Sequence, residues 1–223
     1  VPPGVQLERV LPVIRGLRER TDAPISIDTM SPGVADKAIE AGADMLNDVS
    51  ACRDPGMRAV LERREIPVIL MHMKGTPADM QLHPDYPEGV VPTVLRFFEE
   101  RLEALHSWGV DGSRTILDPG IGFGKRVQHS LELIRSIDVF HRLGRPVFIG
   151  ASRKGFIQKV LARDSTEDPF GGDKDLGTII VNVCALARGA DFLRVHNVPY
   201  ASAAVRMFLA VRGEACEVCR EKS

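Results

Sequence analysis

Short apolar runs alternate along the chain with longer segments in which apolar residues recur every three to four positions. The short runs are typical of buried strands, and the longer segments are typical of amphipathic helices. The strand-like runs are 24–28, 45–48, 66–71, 115–118, 146–149 and 192–196. The helix-like segments are 5–18, 32–40, 55–64, 91–108, 129–143, 176–188 and 200–212. This alternation predicts parallel strands joined by right-handed crossovers.

Polar side chains stand at the carboxyl end of every strand-like run, where a (β/α)8 barrel assembles its active site. No glycine-rich turn follows the first strand, as a dinucleotide-binding open sheet would require. The pattern therefore predicts an α/β protein with a (β/α)8 TIM barrel, of which about six βα units are visible in this chain.

The first predicted element is a helix, although a βα architecture places each helix after a strand. A barrel of this kind typically takes about 250 residues, and the chain has 223. We therefore expect that two βα units are absent before Val1. The organisation predicted is one N-terminally incomplete domain over 1–213, with a loop over 163–175, and a polar C-terminal tail over 214–223.

Composition narrows the class of partner. The chain has 29 basic and 30 acidic residues, for a net charge of -1, which argues against nucleic-acid and anionic-membrane binding. No apolar run reaches the roughly 18 to 20 residues of a membrane span. The four cysteines are too sparse for a disulfide scaffold, which indicates reduced thiols and a cytoplasmic location. Cys216 and Cys219 have the spacing of a zinc or redox pair, but no second pair accompanies them.

The segment Asp118–Lys125 is rich in glycine but is not a P-loop. Pro119 takes the place of the first glycine, and Arg126 replaces the Ser or Thr that would hold magnesium. The segment is instead a carboxylate at a strand end followed by a turn that lets backbone approach a ligand closely.

Other strand ends carry candidate binding groups. Asp28, Asn47 and His72, taken singly, are each explained by helix capping or by a structural role. The Ser152-Arg153-Lys154 segment precedes a helix and suits an anion or a carbonyl group. Arg194 and His196 alternate on a strand, so both side chains leave one face and form a phosphate-type clamp.

Taken in order, these segments resemble the strand-end motifs of the dihydropteroate synthases, enzymes of the pterin-binding barrel family. The resemblance extends from about Val1 to Arg212. The motifs that carry it are Ile27-Asp28-Thr29, Asn47-Asp48-Val49-Ser50, Met71-His72-Met73, Asp118-Pro-Gly-Ile-Gly-Phe-Gly-Lys125, Gly150-Ala-Ser-Arg-Lys154 and Arg194-Val195-His196. It implies that p-aminobenzoate displaces pyrophosphate from 6-hydroxymethyl-7,8-dihydropterin diphosphate, giving 7,8-dihydropteroate for folate biosynthesis.

The resemblance also implies residue roles. Lys154, Arg194 and His196 would be catalytic, and the last two would hold the leaving pyrophosphate. Ser152 would lie on the p-aminobenzoate side. The residues implied for pterin binding are Asp28, Asn47, Asp118 and Lys154. A buried carboxylate can accept two parallel hydrogen bonds from a pterin, and an ammonium can meet its ring carbonyl.

Three departures from the family pattern affect the expectations. The first two strands of the family pattern and their loops are missing. Those loops would supply the main Mg²⁺ ligand, so we expect no metal ligand in this chain. We also expect little turnover from this chain alone. Asn197 stands where Asp is usual, and we expect it still to orient the imidazole of His196. Ser130 stands where Asn is usual. The resemblance further implies a homodimer, formed through the last helices.

Two alternatives stay open beside this reading. One is a methyltetrahydrofolate-dependent corrinoid methyltransferase of the same superfamily, which would share the pterin pocket but hold no pyrophosphate. The other is a catalytically incomplete pterin-binding fragment. A third and weaker hypothesis is a metal-dependent hydrolase using Asp28, His72, Asp118 and His196.

Overall fold

A computed structural model describes residues 1–76, 80, 82, 84–162 and 174–214. The strands are β1 (Ser26–Asp28), β2 (Met45–Asp48), β3 (Val68–Met71), β4 (Thr115–Asp118), β5 (Phe148–Ile149) and β6 (Phe192–Leu193). The helices are α1 (Pro3–Arg18), α2 (Pro32–Glu40), α3 (Gly56–Arg63), α4 (Val90–Ser107), α5 (Val127–Arg135), α6 (Ile137–Phe140), α7 (Gly155–Leu161), α8 (Lys174–Ala187) and α9 (Val198–Val211). Of the predicted loop 163–175, residues 163–173 lie outside the described residues, as do Cys216, Cys219 and the tail beyond Glu214.

All six strands run parallel, as the alternating pattern predicts. Strands β1 to β4 form one sheet in chain order, and β5 pairs with β6. A single parallel bridge between Leu117 and Val147 joins the two groups. Because all six strands are parallel, their carboxyl ends lie at the same edge of this arrangement.

The two faces of the sheet have different environments because side chains alternate along a strand. One face is covered by the helices and holds the apolar core. Its members include Ile27, Leu46, Val68, Leu70, Leu117 and Ile149, all at most 7% exposed. The other face carries polar groups near the strand ends, and it positions the site described below.

The segment predicted as one helix over 129–143 is divided in the structure. Helix α5 ends before Ser136, whose φ of -111° and ψ of 23° are not helical, and α6 follows directly. A short 3-10 turn over His141–Leu143 completes the segment. Ile137 and Phe140, which follow this break, are both fully buried in the core.

The first helix continues through Pro12 without a break, although a proline inside a helix removes one backbone hydrogen bond.

Within the described part of the chain, no helix combines the length and the apolar character that crossing a bilayer would need.

Candidate functional site

The ends of β1 and β2 bring Asp28 and Asn47 side by side. The two residues are partners in the parallel ladder, and Asn47 Nδ2 donates a 2.9 Å hydrogen bond to Asp28 Oδ2. The same oxygen accepts a 3.1 Å hydrogen bond from the guanidinium of Arg194, which follows β6. All three residues line a cavity of about 340 Å³. Asp28 therefore links the first and last strands through one carboxylate oxygen.

Arg194 is paired with a carboxylate, but it does not turn away from the cavity. Its side chain is 60% exposed and lies on the cavity wall. An exposed ion pair of this kind contributes about 0–1 kcal/mol, so a ligand with more negative charge can compete for the guanidinium.

Asn47 offers an acceptor to the same space. The residue is 5% exposed, and its Oδ1 has no hydrogen-bond partner among the described residues. A buried unpaired acceptor costs about 1–3 kcal/mol. An N–H group of a ligand would remove that cost.

Asp118 ends β4 and is buried. Its Oδ1 accepts a 2.7 Å hydrogen bond from the Gly120 N–H, which favours the charged form. Burial has the larger effect and raises the pKa of Asp118 to about 6, against the opposing influence of that bond and of the Lys125, Lys154 and Arg194 charges. This carboxyl group therefore changes charge close to neutral pH.

The strand register places Asp118 on the same face as Asp28 and Asn47. Asn47 pairs with Ile69, and Asp118 pairs with Met71, two residues further along β3. Residues two apart on a strand share a face. Asp118 thus stands one layer above Asp28 and Asn47, at the carboxyl end of the sheet.

Lys125 is buried beneath the glycine-rich turn. Its Nζ contacts His72 Nδ1 at 2.9 Å, and it donates to the carbonyl oxygens of His72 at 3.2 Å and Phe123 at 3.0 Å. Burial lowers the pKa of Lys125 to about 7, although the charge of Asp118 opposes this change. The ammonium therefore ties the end of β3 to the turn that follows β4.

His72 is the partner of this lysine and not a metal ligand or base. Burial and the neighbouring charge of Lys125 lower the pKa of His72 to about 2, so the imidazole is neutral and its Nδ1 is occupied. Among the described residues, no cluster of three or more His, Cys, Asp or Glu side chains is placed to hold a metal ion. The metal-dependent hydrolase hypothesis therefore loses one of its two proposed histidine ligands.

Lys154 lies at the N-terminal end of α7 and is only partly buried. Burial, the largest influence, lowers its pKa, while Asp118 opposes that effect. Its Nζ sits 3.8 Å from the centroid of the Phe123 ring. Lys154 also lines a second cavity of about 520 Å³ together with Gly122 and Gly155.

The backbone between Ser152 and Lys154 is held in an uncommon conformation. Arg153 has a left-handed φ of +58°, which few non-glycine residues adopt. The guanidinium of Arg153 donates to both carboxylate oxygens of Asp175, at 2.8 and 2.9 Å. The backbone N–H of Arg153 donates to Thr178 Oγ1 at 3.0 Å. Contacts with the start of α8 therefore fix the turn that carries Ser152 and Lys154.

Asn197 serves this same contact and does not orient the His196 ring, contrary to the expectation from sequence. Its Nδ2 donates to Asp175 Oδ2 at 3.1 Å, and its Oδ1 accepts from the Tyr200 N–H at the start of α9. With both polar atoms engaged, the side chain is not available to the imidazole. The group that contacts His196 Nδ1 is the hydroxyl of Ser152, at 2.8 Å.

Comparison with known proteins identifies relatives of this chain. Residues 1–196 match the model of a family described as pterin binding enzyme. A dihydropteroate synthase from Synechocystis is 41% identical over 194 residues, which are 86% of this chain and 65% of that protein. One from Haemophilus influenzae is 35% identical over 205 residues, 92% of this chain and 72% of that protein.

The chain belongs to the dihydropteroate synthase family. A solved structure of the Xanthomonas albilineans dihydropteroate synthase, in complex with 7,8-dihydropteroate, superposes with a TM-score of 0.86 at 37% identity. It covers 96% of this chain, which spans 79% of that structure. The likeness confirms the predicted TIM-barrel fold, and these relatives favour the synthase over the methyltransferase reading.

The structure brings most of the residues that the synthase motifs single out to one end of the sheet. Asp28, Asn47 and Arg194 are in direct contact, and the charges of Lys154 and Arg194 act on Asp118. The sequence reasoning did not identify Lys125 or Asp175 as supporting residues. A lysine inside a glycine-rich, otherwise apolar motif was an available signal for the first, whereas nothing in the local pattern marks Asp175.

Proposed function

We propose that this chain catalyses the dihydropteroate synthase reaction. It would join 6-hydroxymethyl-7,8-dihydropterin diphosphate to p-aminobenzoate, releasing pyrophosphate and 7,8-dihydropteroate. The observation that carries the proposal is the buried Asp118 carboxylate, surrounded by cations and set above the Asp28 and Asn47 pair. The dihydropteroate bound by the X. albilineans relative supports the same substrate class.

Pterin recognition follows from the donors and acceptors at the sheet edge. The ionised carboxylate of Asp118 accepts two parallel hydrogen bonds from the 2-amino group and the neighbouring ring N–H of the pterin. The ammonium of Lys154 meets the ring carbonyl, and Asn47 Oδ1 accepts a further N–H. Asp28 already accepts hydrogen bonds from Asn47 and Arg194, and it lies with them among the polar groups around the pterin.

The chemical step is a substitution at the methylene carbon of the pterin substrate. The amine nitrogen of p-aminobenzoate forms a bond to that carbon and loses a proton, while the carbon–oxygen bond breaks and its electron pair leaves with pyrophosphate. Negative charge grows on the leaving group as this bond breaks. Arg194 and His196 lower the activation barrier because they are already positioned to stabilise that developing charge.

On the p-aminobenzoate side we propose Ser152 and the cavity of about 520 Å³ that Lys154 lines. Magnesium would contact phosphate oxygens of the substrate in addition to its main protein ligand, since Mg²⁺ is usually bound by substrate phosphates, carboxylates and water together. The described residues of this chain do not form a cage for it.

We also propose a homodimer located in the cytoplasm. Support for the dimer comes from apolar side chains on the outer faces of the last two helices, with Leu176 and Ile180 exposed on α8 and Met207 and Val211 exposed on α9. Ile180→Glu together with Met207→Glu should convert a dimer to monomers in analytical ultracentrifugation. A wild-type chain that sediments as a monomer at micromolar concentration would contradict the proposal.

Pterin affinity should fall on the acid side of about pH 6, because the pKa of Asp118 lies there. Protonation removes the carboxylate that accepts both pterin hydrogen bonds. We expect about a tenfold loss of affinity for each pH unit below that value, as one bound proton requires. Calorimetric titration with a 7,8-dihydropterin between about pH 4.5 and 8 measures it. A flat profile over this range would exclude an ionised Asp118 as the acceptor.

Pyrophosphate release from the purified chain with both substrates tests the activity, and it also tests the expectation from sequence that this chain alone gives little turnover. Arg194→Met should reduce the rate on the order of 100-fold, since one donor to a developing oxyanion is worth about 3 kcal/mol. Arg188→Met, an exposed arginine at the end of α8, serves as the matched control and should leave the rate unchanged. Release that does not depend on p-aminobenzoate would argue for hydrolysis and against the synthase.

A further inference from the structure

Ser152 and His196 follow neighbouring strands and meet at their carboxyl ends. Ile149 of β5 pairs with Leu193 of β6, and each of the two polar residues lies three positions beyond that pair. Ser152 Oγ is 2.8 Å from His196 Nδ1, and it also accepts a 3.2 Å hydrogen bond from the backbone N–H of His196. The hydroxyl is buried, with Ser152 only 8% exposed.

These two contacts limit where the protons can be. A serine hydroxyl has one hydrogen to donate and two lone pairs to accept with. One lone pair receives the His196 backbone N–H, so the hydroxyl can either donate its hydrogen to Nδ1 or accept an N–H from Nδ1. If it accepted, its own buried hydrogen would have no acceptor among the described residues, at a cost of about 1–3 kcal/mol. Donation to Nδ1 is therefore favoured, which places the ring proton of a neutral imidazole on Nε2.

The position of that proton matters for an anion. His196 is an exposed residue, and because Nδ1 contacts the Ser152 hydroxyl, Nε2 is the ring nitrogen left to meet an anion. An Nε2–H donates to a phosphate oxygen, whereas the other tautomer would turn a lone pair toward it. The carboxylate of Asp175 is engaged elsewhere, since it accepts hydrogen bonds from Arg153 and Asn197.

We propose that Ser152 is a positioning residue for the leaving group: it holds neutral His196 in the Nε2–H tautomer, so that the imidazole donates a hydrogen bond to the departing pyrophosphate. The role in pyrophosphate departure rests on the proposed function, whereas the tautomer itself does not. Arg194, the other residue proposed to bind the pyrophosphate, contributes a positive charge. Ser152 acts through His196, because it determines which ring nitrogen carries the proton.

The tautomer can be measured directly by long-range proton–nitrogen NMR of the histidine side chains at about pH 8.5, above the usual titration range of imidazole. His196→Gln identifies the His196 signal among those of the six histidines. Wild-type protein should give the Nε2–H pattern, and Ser152→Ala should give a mixture of both tautomers. Ser152→Thr keeps the hydroxyl and should restore the wild-type pattern.

Ser130→Ala is the matched control, since it removes another buried serine hydroxyl, one that bonds the Arg126 carbonyl. It should leave the His196 signal unchanged. An Nδ1–H pattern in the wild type, or an unchanged pattern in Ser152→Ala, would overturn the proposal.

A second measurement tests the consequence for the anion, with inorganic pyrophosphate as the probe in calorimetric titrations. At about pH 8.5 Ser152→Ala should bind about fivefold more weakly than wild type, the equivalent of one neutral hydrogen bond. Ser152→Thr keeps the hydroxyl and should restore the wild-type affinity. Equal weakening by Ser152→Ala and Ser152→Thr would indicate a merely structural role and would overturn the proposal. Failure of Arg194→Met to weaken pyrophosphate binding would instead count against the proposed function, while the NMR result would still decide the tautomer.

Discussion

Replacing Asp118 with Asn is expected to weaken binding of a 7,8-dihydropterin on the order of 100-fold or more. The carboxylate can accept two hydrogen bonds side by side, whereas an amide offers one acceptor and opposes the second donor with its own NH2 group. Hydrogen bonds to a charged partner contribute about 1.5–3 kcal/mol each. The loss of one such bond, together with an unpaired donor in a buried place, accounts for the expected change. Calorimetric titration at about pH 7.5 measures it.

Asp48→Asn provides the matched control for this substitution. Asp48 is also a buried carboxylate at a strand end, but it accepts from the Ser50 hydroxyl and from the backbone N–H groups of Ser50 and Cys52. It therefore stabilises the turn after β2. The Asn variant should lower the melting temperature and leave pterin affinity within about twofold. If both variants lost affinity equally, the effect at Asp118 would reflect general disruption of the site.

Gly120→Ala should lower the melting temperature on the order of 10 °C. Gly120 has a φ of +69°, and a Cβ there would lie 2.0 Å from the carbonyl oxygen of His72. The left-handed conformation costs an alanine about 1–2 kcal/mol, and the forced backbone shift adds about 1–3 kcal/mol. In a chain of this size each kcal/mol lowers the melting temperature by about 2–4 °C. Thermal unfolding followed by circular dichroism measures the change.

Gly144→Ala separates the two causes. Gly144 has nearly the same φ, +66°, but a Cβ there would meet nothing within 4 Å. This variant should show the cost of the backbone conformation alone, about 1–2 kcal/mol or about 2–8 °C. A Gly120→Ala variant no less stable than Gly144→Ala would mean that the His72 carbonyl does not closely approach the turn.

The elements that the sequence predicts well are those set by local pattern. Periodicity and strand-end polar residues identify six parallel strands, and α2 has the bounds 32–40 that the pattern predicts. The break at Ser136 was not predicted, because the buried positions on both sides of it continue a helical spacing. Nothing in that spacing distinguishes Ser136 from the positions around it, although its backbone is not helical and Ile137 and Phe140 beyond it are buried.

In the candidate site, too, the sequence predicts the residues that a local pattern marks and misses those that depend on distant contacts. Residues such as Asp118 that stand directly at strand ends are visible in the sequence, since a barrel places all such ends together. The partners that hold them are not visible. The contact of Lys125 with His72 spans 53 residues, and that of Ser152 with His196 spans 44. Such pairs depend on the relative twist and register of strands, which no local pattern specifies.

Burying an acid and a base at the same end of the sheet has a consequence for proton-linked stability. The pKa of Asp118 is raised from 3.8 to about 6, so the folded chain binds a proton more readily than the unfolded chain and loses stability as the pH rises through this interval. The pKa of Lys125 is lowered from 10.5 to about 7, so its contribution to stability is smallest below 7 and recovers toward 10.5. Between about 6 and 7 both groups are charged in the folded state and both are costly. Near neutrality, therefore, the charges suited to holding a pterin are the same charges that favour opening of the empty protein.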